Sequence, residues 1–177
     1  MRSMNDNRQT PSILVSPILP YLHSRSIIWC PFDTANSQFV KVLTRAGHQV
    51  IHTHIDDGQD FFTTQPPPNC DYIISNPPFS RKLDVFQALF NIDLPFAMLM
   101  NLEVLNYQAV GNFFYQHSKQ LQLLIPDKKI SFDGHTSSFN TSYFCYRLLP
   151  KDLMFCHLPH NNTGNNFRME EVSDDQM

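Results

Sequence analysis

The sequence is short of several things, and each shortage narrows the field. Its 177 residues contain no apolar run long enough to cross a bilayer, which excludes a helical membrane span. The first ten residues, Met1 to Thr10, lack the apolar core of a secretory signal and show no lipidation motif, so a cytoplasmic location is expected. Cysteine is scarce. Cys30, Cys70, Cys145 and Cys156 stand far apart with no Cys-x-x-Cys pair, which argues against a disulfide framework or a cysteine zinc site and for buried reduced thiols. No internal repeat occurs, which excludes a solenoid or propeller.

Net charge is also small. A formal −3 argues against a strongly basic nucleic-acid binder, but the acidic excess sits at one end. Setting aside Glu170, Glu171, Asp174 and Asp175 leaves residues 1 to 169 at +1. Arg81, Lys82, Lys119, Lys128, Lys129 and Arg147 are then available for a local basic groove. A nucleic-acid partner is permitted and not demanded.

What the chain has in quantity is apolar and aromatic side chains: 42% hydrophobic residues and fifteen Phe, too many for an intrinsically disordered protein. The length suits one domain. The expected organisation is a flexible leader over 1–8, a globular domain over 9–158, and a disordered tail over 159–177 that is Asn-rich and then acidic.

Strand-like and helix-like periodicities alternate along the domain, which predicts an α/β fold. Pro11 to Leu22 suits a short helix with Thr10 as its N-cap, interrupted by Pro17 and Pro20. Ser26 to Cys30 reads as a buried strand, Asn36 to Ala46 as an amphipathic helix stopped by Gly47, and Gln49 to Ile55 as a second strand. A strand, helix, strand unit of this kind demands a right-handed crossover and a parallel sheet. Asn69 to Ser75 (strand), Leu83 to Phe90 (helix), Phe96 to Met100 (strand) and Val110 to His117 (helix) continue the pattern. The last third, with strands at 121–125, 129–132, 143–149 and 153–156, has little helix and predicts an antiparallel portion. The aromatics Phe113, Phe114, Tyr115, Tyr143, Phe144 and Tyr146 are expected in core and sheet positions.

The densest chemical signal is Asp71-Tyr72-Ile73-Ile74-Ser75-Asn76-Pro77-Pro78-Phe79-Ser80, an apolar strand that runs into a carboxamide, two prolines and an aromatic. An aromatic amine such as adenine N6 is a poor nucleophile because its lone pair is delocalised into the ring. A catalyst helps by accepting hydrogen bonds from its two protons. The Asn76 side-chain oxygen and a neighbouring backbone carbonyl supply two acceptors, and the prolines hold the backbone extended. Phe79 offers a face on which an extruded base stacks. Acceptors fixed in advance toward developing positive charge need no metal and no general base. His52 and His54, two residues apart, raise the thought of a metal pair, but no third ligand stands at a supporting distance, and ordinary sheet histidines are expected.

These residues resemble the signature of the S-adenosylmethionine-dependent amino-methyltransferases: Asn, Asp or Ser, then Pro-Pro, then Tyr or Phe. The resemblance runs over roughly residues 9 to 150 and is nearest to small phage-type adenine-N6 methyltransferases acting on DNA. It implies a Rossmann-like methyltransferase fold, a mostly parallel central sheet with antiparallel C-terminal strands, and S-adenosyl-L-methionine as cofactor. It implies catalytic roles for Asn76, Pro77, Pro78 and Phe79. Thr10 and Pro11 resemble the segment that meets the methionine part of the cofactor, and Cys30, Pro31, Phe32 and Asp33 the cofactor loop after the first strand. Asp56, at the end of the second strand, resembles the residue on the ribose hydroxyls, with Asp57 as the alternative. Asp60 and Phe61 resemble the pair that meets the cofactor's adenine. The family's loop usually carries glycines, whereas Cys30 to Ser37 has none, leaving Pro31 and the small residues Thr34, Ala35 and Ser37 in their place.

On the substrate side, Arg81, Lys128 and Phe132 are the expected contacts, the lysine to phosphate and Phe132 to the extruded base. No separate recognition region is long enough to confer site specificity. Low specificity, the loops 81–95 and 133–141, a partner subunit or a homo-oligomer are the ways open. Alternatives to adenine methylation in DNA are methylation of RNA or another planar amine, or a domain of the same fold that binds without catalysing.

Overall fold

The computed structural model describes residues 10–117, 120–131 and 138–158, with the backbone only of Phe79, Ser131, Ser138 and Phe139. The leader over 1–8, the tail over 159–177 and Phe132 lie outside the described residues.

The chain alternates strand and helix, as its periodicity predicts: β1 (Ile27–Cys30), α1 (Gln38–Arg45), β2 (Gln49–His52), β3 (Tyr72–Ser75), α2 (Lys82–Ile92), β4 (Phe96–Asn101) and α3 (Gln108–His117). Five strands then follow, with no α-helix between them among the described residues: β5 (Gln122–Pro126), β6 (Ile130–Ser131), β7 (Ser138–Phe139), β8 (Thr141–Tyr146) and β9 (Leu153–Cys156). Seven of them form one sheet in the order β2-β1-β3-β4-β8-β5-β9, and β6 pairs with β7 as a separate ribbon. The strands β2, β1, β3 and β4 are mutually parallel, and β8 runs antiparallel to both β4 and β5. β5 is therefore parallel to β4, and its carboxyl end leaves from the same edge of the sheet.

Burial on both faces makes β3 and β4 near-continuous apolar runs, as a parallel strand covered on both sides requires. Side chains alternate cleanly between the two faces. Ile28, Cys30, Tyr72, Ile74, Ala97 and Leu99 join α1 (Phe39, Leu43) and the N-terminal segment (Leu14, Val15, Ile18) in one core. Trp29, Ile73, Phe96 and Met98 join α2 (Val85, Phe86, Leu89) and α3 (Val110, Phe114) in the other. Ser37 caps α1 by accepting from the Val40 N–H at 3.2 Å, and Gly47 beyond it takes a φ of +90, a left-handed conformation that suits glycine.

Three expectations need correction. Residues 12–21 form two 3₁₀ helices, Ser12–Leu14 and Ser16–Tyr21, rather than an α-helix capped by Thr10. Pro17 and Pro20 lack the N–H groups that an α-helical ladder needs, and the position before the first turn is taken by Pro11. The second strand stops at His52, so Asp56 sits not at its end but in a one-turn 3₁₀ helix, Ile55–Asp57. Tyr115 is 88% exposed on the outer side of α3, whereas Phe114, Tyr143, Phe144 and Tyr146 are buried. All four cysteines are free thiols, three of them buried.

Candidate active site

The chain leaves β1, adds β2 on one side, and crosses back to add β3 on the other side of β1. In an open parallel sheet this reversal opens a crevice at the strands' carboxyl ends, where ligands characteristically bind. Here the two ends are Cys30-Pro31-Phe32-Asp33 and Ser75-Asn76-Pro77-Pro78, so topology brings together two of the segments singled out in the sequence.

Side-chain bonds join them. The Ser75 hydroxyl donates a short hydrogen bond to Asp33 Oδ2. Asn76 Nδ2 donates to Thr10 Oγ1 at 3.0 Å. Asp33 and Thr10 are each 7% exposed and Ser75 is wholly buried, so these are interior contacts. Burial pushes the Asp33 carboxyl above its ordinary value, while the hydrogen bonds from Ser75 and Ser37 and the nearby His54 and His52 pull it down by less. Asp33 faces inward and ties the loop after β1 to β3. Cys30 and Pro31 are buried too, and the Cys30 carbonyl accepts from Thr53 N at 3.1 Å.

The wall beyond β2 is aromatic. Phe61, 4% exposed, packs against Phe32 with ring centres 4.7 Å apart and against Trp29 at 5.6 Å. Asp60 Oδ1 accepts from the Phe62 N–H at 3.0 Å, a local Asx turn that fixes the bend. His54 Nδ1 accepts from Asp56 N at 3.1 Å and lies 3.4 Å from Asp56 Oδ2. Of the two histidines expected in the sheet, only His52 is in a strand. Among the described residues no group of His, Cys, Asp and Glu is arranged to hold a metal.

Two consecutive cations brace the start of α2 in opposite directions. The Arg81 guanidinium lies 3.8 Å over the Phe62 ring and pairs with Asp84 at 2.8 Å. The Lys82 ammonium lies 4.8 Å from the Tyr107 ring centre, across the segment that follows β4. Partial burial lowers the Lys82 pKa, and Glu103 acts against that. Tyr107 is half exposed and was not singled out in the sequence, because nothing local distinguishes it from a core aromatic. Ile55, also exposed, was hidden in the same way by reading it as the end of a strand. Lys128 and Lys129 are exposed on the turn after β5, at the same edge of the sheet but three strand spacings, roughly 14 Å, from β3.

No protein-family model matches the chain, and no curated protein matches it. Solved structures do. One is a Listeria monocytogenes protein assigned to the class I S-adenosylmethionine-dependent methyltransferases: 9% identical, it superposes with a TM-score of 0.54 over 88% of this chain and 67% of its own. The chain has a methyltransferase fold. A precorrin-6y C5,15-methyltransferase from Geobacter metallireducens is 11% identical with a TM-score of 0.47, over 81% of this chain and 91% of its own. The segments that follow β1, β2 and β3 carry carbonyl and carboxylate oxygens (Asn76, Asp56, Asp60), apolar side chains (Phe32, Ile55) and cations (Arg81, Lys82).

Proposed function

We propose that the chain is an S-adenosylmethionine-dependent methyltransferase acting on the exocyclic N6 amino group of adenine in nucleic acid, DNA in preference to RNA. The observation that carries this reading is the place of Asn76-Pro77-Pro78. A rigid acceptor segment stands at the carboxyl end of β3, beside the end of β1, at the point where the sheet reverses its order.

The residues around the crevice fit the proposed cofactor in chemistry. Asp56 suits the ribose diol. Asp60 and the partly exposed face of Phe32, backed by the buried Phe61, suit the adenine. The loop 31–37 and the segment at Thr10 and Pro11 border the methionine end. Without glycine, the loop's approach to a ligand relies on the small residues Thr34, Ala35 and Ser37. When bound, the cofactor supplies an electrophilic methyl group on a sulfonium centre.

The chain's part is to hold and polarise the amine. Asn76 Oδ1 and the Pro77 carbonyl accept from the two N6 protons, drawing the lone pair out of the ring. Held there, the amine would be the acceptor for the cofactor's methyl group, and the proton it sheds would pass to water. Phe79 stacks on the base, Arg81 and Lys128 meet phosphates, and Phe132 serves as a second stacking partner.

The test has two arms. Calorimetry with S-adenosylmethionine is expected to show binding; its absence, with the chain folded, leaves a domain that binds something else. Mass spectrometry of nucleosides from DNA and RNA incubated with labelled cofactor is expected to show labelled N6-methyl-2′-deoxyadenosine from DNA, exceeding labelled N6-methyladenosine from RNA. Label on another planar amine would replace adenine as the substrate.

A further inference from the structure

Asn76 has two unlike ends, and only one of them serves the proposed chemistry. The oxygen accepts from an amine. The NH₂ end would face the amine donor to donor. A flip of the carboxamide by half a turn therefore switches the site off, so something must set its orientation.

An asparagine can set its orientation locally, by capturing the N–H two residues on in an Asx turn. Here that is impossible. Residues 77 and 78 are both proline, and neither has an N–H. The orienting group comes instead from 66 residues earlier, where Thr10 Oγ1 accepts from Asn76 Nδ2 at 3.0 Å. Thr10 is itself held in place. Pro11 fixes an extended turn after it with φ −61 and ψ 142, Leu14 and Val15 are fully buried, and the Leu14 carbonyl accepts from the buried Tyr143 hydroxyl at 2.7 Å. The other nearby hydroxyl, on Ser75, is committed to Asp33.

We infer that Thr10 is a positioning residue: its hydroxyl anchors the Asn76 carboxamide and, accepting from Nδ2 as in the structure rather than donating to Oδ1, leaves the oxygen to the substrate amine. This rests on the adenine-methylating reading above. It makes the N-terminal segment part of the catalytic apparatus, beyond any contact that segment makes with a cofactor.

A carboxylate in place of the carboxamide has two equivalent oxygens and needs no orientation, which gives a test that packing alone cannot mimic. Steady-state methyl transfer to an adenine oligonucleotide is measured for Thr10→Val, Thr10→Ser and Asn76→Asp, and for Thr10→Val combined with Asn76→Asp. Thr10→Val is expected to lower kcat roughly five- to tenfold with little change in KM, the worth of one hydrogen bond. Thr10→Ser, which keeps the hydroxyl, is expected to recover most of the rate lost in Thr10→Val. In the Asn76→Asp background the cost of Thr10→Val falls below about twofold. Equal costs in both backgrounds, or no cost with Asn76 present, overturns the inference.

A second measurement needs no activity at all. One side-chain amide proton of Asn76, followed by NMR, is expected to exchange slowly with solvent in the wild type and rapidly in Thr10→Val. Fast exchange of both protons in the wild type also overturns it. If the wild type transfers no methyl, the adenine reading fails while the NMR result still reports on the Thr10–Asn76 bond.

Discussion

Ser75, the last residue of β3, hydrogen-bonds through its hydroxyl to the buried carboxylate of Asp33, three residues beyond the end of β1. The two strands that flank the crevice are thus locked together one residue before Asn76. Removing the hydroxyl leaves a buried carboxylate short of a donor. Ser75→Ala is expected to destabilise the fold by about 2 kcal/mol in denaturant unfolding, and a change below about 0.5 kcal/mol would show the bond to be dispensable.

The same carboxyl predicts a pH dependence. Burial raises its pKa in the folded state, so the native protein binds this proton more tightly than the unfolded chain does. Its contribution to stability is full below the unfolded value of about 3.9 and is lost as pH rises through the folded pKa. Asp33→Asn removes this loss. The melting temperature of Asp33→Asn minus that of wild type is expected to grow between pH 4 and pH 7; a difference that is flat or shrinks contradicts the assigned direction.

Arg81 reaches back over Phe62 from the end of the Asn-Pro-Pro-Phe segment and is half exposed. An exposed pair of this kind adds little stability, so Arg81→Ala is expected to change unfolding by less than about 1 kcal/mol. Its proposed role is a phosphate contact. Titrations of DNA binding against salt should then show a slope reduced by about one in the variant. An unchanged slope would remove Arg81 from the interface.

Asp56 bears on cofactor binding alone. Asp56→Ala is expected to weaken S-adenosylmethionine binding roughly tenfold or more by calorimetry while leaving the melting temperature within a degree or two, since the side chain is exposed. If Asp57→Ala weakens binding in its place, the ribose contact moves one residue along the turn.

Much of this was legible in the sequence, for local reasons. Short apolar runs mark Asn69 to Ser75 and Phe96 to Met100 as strands, which the structure places at Tyr72–Ser75 and Phe96–Asn101, and the Asn-Pro-Pro-Phe segment is contiguous, so its place at a strand end follows from its neighbours. The Asn76–Thr10 and Ser75–Asp33 bonds were not legible. They span 66 and 42 residues and exist only because the sheet order sets β3 beside β1 and the N-terminal segment packs against the sheet face. The prolines at 17 and 20 warned of a broken helix. That the segment would settle into 3₁₀ turns, freeing the Thr10 hydroxyl for Asn76, depends on packing by Leu14 and Ile18 that no local pattern encodes.

The central claim is that Asn76 is where the methyl acceptor is held. The most direct measurement is transfer of labelled methyl from S-adenosylmethionine to an adenine-containing oligonucleotide by Asn76→Ala, with its folding verified by circular dichroism and unfolding. The predicted result is loss of transfer by at least about a hundredfold with cofactor binding retained. Transfer at the wild-type rate in that folded variant would contradict the account.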